Sequence, residues 1–154
     1  MDSSTALAAY RKHLKEGGLQ ETYHQLLSYL LELKAAFPSS YQTGNLSPGY
    51  LDVTYFPFKN KALSKKKLRF GLVLRHENLG LELWLMGQTL ALQKSYWENW
   101  KESKWTQGRA DMPKYAIFEI PLLEIHDLDQ KETLTQTILR KIQALVAEIE
   151  GEIL

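Results

Sequence analysis

The chain has 154 residues, ordinary hydrophobic (44%) and charged (24%) fractions and a formal net charge of +1. One domain over 1–154 is expected, and no global field drives it onto nucleic acid or an anionic membrane. The absence of cysteine excludes disulfides, thiolate metal sites and a cysteine nucleophile, and it fits a cytoplasmic protein.

The N-terminal MDSSTALAAYRKH lacks an apolar h-region, so no signal peptide is expected, and no apolar run approaches the ~18 residues that span a bilayer. Ser3, Ser4 or Thr5 can cap a first helix with a narrow stripe of Leu7, Tyr10 and Leu14, ended by Gly17–Gly18. In a second helix Leu19, Tyr23, Leu26, Leu30, Leu33 and Phe37 recur every three or four residues until Pro38 stops it. The short joint predicts an antiparallel helical hairpin. Ser39–Pro48 reads as a polar loop. Tyr50–Phe58 reads as a strand, with Leu51, Val53 and Tyr55 on one side and Asp52, Thr54 and Phe56 on the other. Pro57 ends it or places it on an edge. Lys59–Lys67 reads as a basic loop.

Leu68–Gly87, LRFGLVLRHENLGLELWLMG, is the strongest pattern in the chain. Leu68, Phe70, Leu72 and Leu74 make one apolar row, and Leu79, Leu81, Leu83 and Leu85 make another. The break between them is short enough only for a hairpin. Both rows must share a face, so paired residues have numbers with an odd sum. A turn at Glu77–Asn78 or at Asn78–Leu79 satisfies this, and the second would set Arg75 directly opposite Glu82. Thr89 then caps a helix with Leu92, Tyr96 and Trp100 on its core face and Trp97 beside them. Tyr115–Ile120, between Pro113 and Pro121, reads as a strand, and Leu122–Asp129 as an acidic connection. Leu134, Ile138, Ile142, Leu145 and Ile149 mark a last helix from Gln130. The expected fold is α+β: a helical hairpin, a mostly antiparallel sheet of three to four strands covered on one face by helices, and a C-terminal amphipathic helix.

Several constellations are candidates for function. With the hairpin leucines facing the helices, Asp52, Thr54 and Phe56 are expected on the outer face with Arg75, Glu82 and Trp84, where they could line a ligand site. Asp52 and Glu82 on adjacent strands resemble the metal-binding acids of restriction-endonuclease-like nucleases, but Leu83 and Trp84 stand where that pattern has its lysine. Cross-strand ion pairs explain the same charges more simply. Trp84, Trp97, Trp100 and Trp105, with Tyr96, could line a pocket for a small molecule or a protein partner, with Trp105 expected to be exposed. Lys65, Lys66 and Lys67, within the Lys59–Arg69 run beside Tyr55, Phe56 and Phe58, could contact nucleic acid. The absence of a second basic cluster favours a solvated loop instead. His126 among Glu119, Glu124, Asp127 and Asp129 is explained by an acidic loop without metal. No GxSxG, Walker, Rossmann or HExxH pattern is present, so no cofactor is expected.

YLDVTYFPF, HENLGLELWLMGQ and SYWENWKES together resemble a family of small uncharacterised bacterial proteins, a domain of unknown function. The specific residues are Asp52, Thr54, Tyr55 and Phe56, then Glu82, Trp84, Leu85 and Gly87. The resemblance implies a bacterial, cytosolic source and no assigned activity. The leading functional expectation is a non-catalytic binding or interaction domain. The alternatives are a metal-dependent phosphodiesterase using Asp52 and Glu82, and a weak nucleic-acid binder acting through Lys59–Arg69.

Overall fold

The sheet that the hairpin pattern demands is the centre of the molecule. The computed structural model describes residues 1–153. In chain order the elements are α1 (Ser3–Glu16), α2 (Leu19–Ala35), β1 (Gln42–Thr43), β2 (Val53–Lys59), α3 (Lys61–Lys65), β3 (Leu68–Arg75), β4 (Gly80–Gly87), α4 (Leu90–Trp100), β5 (Phe118–Glu124) and α5 (Lys131–Ile153), with a 3-10 turn at Lys104–Thr106. The strands form one antiparallel meander in the order β1-β2-β3-β4-β5. The sheet thus has five strands rather than three to four. Among the described residues no helix is long and apolar enough to cross a membrane.

The β3–β4 ladder runs from Leu68 opposite Gly87 to Arg75 opposite Gly80. Every pair sums to 155, the register of a turn centred on Glu77–Asn78. His76 to Leu79 form the turn, with Leu79 at φ 55°. The apolar rows of both strands face α2 and α5, whose Leu26, Tyr29, Leu30 and Leu33, and Ile138, Ile142, Val146 and Ile149, complete the main core.

The expected facing of β2 is reversed. Thr54 pairs with Leu74, Phe56 with Leu72 and Phe58 with Phe70, so Thr54, Phe56 and Phe58 enter the main core. Val53 and Tyr55 lie on the outer face against Val73, Trp84, Met86 and Ala116. Both rows of this strand are apolar, so alternation alone does not choose. Two phenylalanines bury more apolar area than Val53 and Tyr55, and Tyr55 keeps its hydroxyl nearer to water. Pro57 sits inside the strand. Gly44 passes so close that a Cβ there would lie 2.6 Å from the proline ring, and its N–H donates to the Pro57 carbonyl (2.8 Å).

Four further expectations change. Asp2, not Ser3, Ser4 or Thr5, caps α1, accepting from the Thr5 N–H at 2.7 Å. α1 buries no residue, with Leu7 62% and Tyr10 64% exposed, so it is not packed along α2 as a hairpin would be. The basic loop contains α3, capped by Asn60 through the Leu63 N–H (2.9 Å). The last strand is Phe118–Glu124, not Tyr115–Ile120. It runs through Pro121 because β5 is an edge strand, and a register shift between Leu81 and Glu82 accommodates the break. Thr89 caps α4 as expected, accepting from Leu92.

Candidate functional site

On the outer face Arg75, Glu82 and Glu119 pair with one another. Arg75 and Glu82 are diagonal neighbours across β3 and β4, and Arg75 Nε donates to Glu82 Oε2 at 2.6 Å. Trp84 Nε1 donates to the other oxygen, Oε1, at 2.9 Å. An Arg75 terminal nitrogen donates to Glu119 Oε2 (2.8 Å), Arg109 approaches the same oxygen (3.8 Å), and the guanidinium lies 5.5 Å from the Trp84 ring centre. Burial pushes the Glu119 carboxyl above its ordinary value, against the pull of Arg75. The hydrogen bond to Glu82, more than charge, pushes Arg75 up. The two Arg75 ion pairs, both under 3 Å, mark a held ion network, and both Glu82 oxygens are occupied.

Asp52 does not join this network. It precedes β2, its Oδ1 accepts from the Tyr50 N–H (2.8 Å), and that and neighbouring backbone N–H groups hold its pKa down. Its carbonyl accepts from the His76 N–H, whereas Glu82 pairs with Val73. Two strand spacings and three residues separate them, roughly 14 Å, so they do not converge as metal ligands. Among the described residues, no group of three or more His, Cys, Asp or Glu side chains could hold a metal ion.

The tryptophans also separate. Trp84 belongs to the outer face, and Trp97 is buried on α4. Trp105 is 2% exposed, not exposed as expected, and packs between Trp100 (6.0 Å) and Phe118 (5.8 Å) in the main core. It lies outside any helical stripe, so periodicity had no hold on it. Lys65, Lys66 and Lys67 are exposed at the end of α3 and beyond it.

A different site forms where the β3–β4 turn meets α2. Thr54 is fully buried, and its hydroxyl donates to the Pro48 carbonyl at 2.6 Å. The same oxygen lies 2.7 Å from His76 Nε2. A hydroxyl has one proton, already given to Pro48, so His76 Nε2 must carry its own and donate it. That leaves Nδ1 as an acceptor, and it has no partner among the described residues. Burial lowers the His76 pKa, partly opposed by Asp52, so the ring is neutral near pH 7. Tyr23 packs beside it (5.6 Å between ring centres), and its hydroxyl donates to Pro48 at 3.2 Å.

His76 opens onto a groove in two connected parts that share Thr22, Leu26 and Leu79. One part, about 290 Å³, also has Tyr23, Leu51 and His76 on its wall. The other, about 450 Å³, reaches Ile125, Asp127 and Asp129. Leu51 (φ 66°) and Leu79 (φ 55°), both on its wall, hold left-handed conformations that a leucine rarely adopts. Neither His76 nor the groove was singled out by sequence. The available signal was Thr54 and His76 falling at matching ends of β2 and β3, which needs the β2 facing to be known.

His76 gives a pH-dependent prediction. Its folded pKa is below the unfolded one, so between the two values the unfolded chain binds more protons. Stability should fall as pH drops through that window. Urea melts at about pH 7.5 and about pH 5 should show a drop that is smaller in His76→Gln. Equal drops in both proteins would mean that His76 is not held neutral.

A family model described as Domain of unknown function (DUF7000) matches residues 3–153. No curated protein and no solved structure matches the chain at a significant level.

Proposed function

We propose that this chain, which belongs to the DUF7000 family, is a non-catalytic, single-domain binding module whose ligand occupies the groove beside His76. The observation that carries this reading is the Thr54–His76 hydrogen bond, which makes Nε2 the donor, so that the ring, kept neutral by burial, has Nδ1 as an acceptor at the groove wall. Leu26, Leu79 and Ile125 supply an apolar floor, and on the rim the carboxylates Glu77, Asp127 and Asp129 outnumber the one lysine, Lys131, with His126 beside them. That combination suits a protonated amine on an apolar body: the floor takes the body, and the acids and Nδ1 accept from the ammonium. The outer face is the less suited surface, because Arg75 is already paired with both Glu82 and Glu119. The cytoplasmic and bacterial setting expected from the sequence belongs to this proposal.

The test is an NMR titration with alkylamines and arylalkylamines. Saturable shifts are expected at the amides of Thr22, His76, Leu79 and Ile125, weakened in His76→Phe. Shifts that map to the outer face around Arg75 and Trp84, or no saturation by ~10 mM, would remove the reading.

A further inference from the structure

The hairpin's other end, eight residues away along β3, carries a site of opposite sign. We propose that the cleft formed by Lys59, Lys67 and Arg69 is an anion site for a small phosphorylated molecule. The cleft has a volume of about 360 Å³, and Ser64, Leu68, Gly87 and Gln88 complete its wall. No carboxylate lines it. None of the three cations has an ion-pair partner among the described residues.

The register makes this arrangement costly without an anion. Phe58 pairs with Phe70, so one step further Lys59 falls directly opposite Arg69 on the same face. Like charges directly opposite on neighbouring strands are destabilising. Lys67, the third cation, is held at φ 58° just before β3, and its carbonyl accepts from the Gln88 N–H (3.0 Å), which closes the cleft between α3 and the end of β4. The uncompensated pair and the left-handed lysine thus converge on one hollow. A dianionic phosphate would relieve the repulsion through charge-assisted hydrogen bonds, with Ser64 and Gln88 as further donors.

The cleft adjoins a second hollow of about 210 Å³, lined by Gln42, Thr43 and Pro57, and the two share Lys59 and Arg69. The phosphate would sit in the first and its small polar body in the second. Lys65 and Lys66 do not line either hollow. The cations therefore converge on a point rather than track a strand. With a net charge of +1 and contacts confined to one hollow, a phosphorylated metabolite fits better than a nucleic-acid backbone.

The experiment is isothermal titration calorimetry at ~50 mM salt with pyrophosphate and inorganic phosphate, beside a single-stranded oligonucleotide. Saturable one-to-one binding of pyrophosphate is expected, roughly tenfold weaker in Lys67→Ser and in Arg69→Gln, because each removes one charge-assisted contact. The Lys65→Ser/Lys66→Ser variant should bind as wild type does. Thermal melts supply a second readout: ligand-free Arg69→Gln should melt higher than wild type, because one of two facing like charges is gone, and should gain less from pyrophosphate. Absence of saturable pyrophosphate binding overturns the proposal. So does an equal loss in Lys65→Ser/Lys66→Ser, which would mean diffuse charge. Tighter binding of the oligonucleotide that depends on Lys65 and Lys66 would overturn it in favour of nucleic acid.

Discussion

Phe56→Ala should destabilise the fold by about 3–5 kcal/mol, the range for deleting a buried aromatic side chain. Phe56 is fully buried. It stands opposite Leu72 in the register, and its ring meets that of Phe37 edge-on at 5.2 Å between centres. The substitution removes both contacts and leaves a cavity that the sheet, paired on both sides of β2, cannot close. Urea denaturation monitored by circular dichroism measures the loss. A value below ~1 kcal/mol would return Phe56 to the outer face and bring Asp52 and Thr54 with it.

Arg75→Ala should cost about 2 kcal/mol. Removing one partner from a buried pair costs ~3–5 kcal/mol, and the value is reduced here because the Arg75 side chain keeps 29% of its exposure. The loss arises mainly from Glu82 and Glu119, whose side chains are 14% and 11% exposed and would remain with little compensation. The sign of the pH dependence follows from Glu119. Its folded pKa is already raised, so the folded state binds the extra proton between the unfolded and folded values, and stability falls as pH rises through that window. Without Arg75 the window widens, and the variant should recover more stability than wild type on mild acidification. Adding Glu119→Gln should offset part of the loss. Additive losses in the double variant would mean that the two side chains are not coupled.

The hairpin was legible because Leu68–Leu74 and Leu79–Leu85 are solid apolar rows against mixed ones, which leaves a single parity. α5 was legible for the same reason at helical spacing. β2 was not, because Val53 and Tyr55 compete with Phe56 and Phe58, and only long-range packing breaks the tie. β5 was displaced because Pro121 looks like a boundary, whereas an edge strand tolerates a missing N–H. β1 is two residues long and leaves no pattern to read. Of the candidate site, Arg75, Glu82 and Trp84 were correctly placed together on one face. Glu119 joined them only through the β4–β5 pairing. Thr54 was singled out for the wrong face, and its real partners, Pro48 and His76, come from a loop and a turn that no periodicity connects. Trp105 shows the same gap: its burial depends on Phe118 and Trp100 arriving from separate elements.

The state of His76 is the point on which the binding reading turns, and nitrogen-15 NMR of the imidazole reads it directly. At pH 7 the ring should be neutral and protonated on Nε2, with the Nδ1 resonance in the unprotonated, acceptor range and a titration midpoint below the ordinary histidine value. Thr54→Val should abolish the tautomer preference while leaving the fold intact. An Nδ1-protonated ring, or a His76 already charged at pH 7, would contradict the account, because the groove would then present a donor where an acceptor is required.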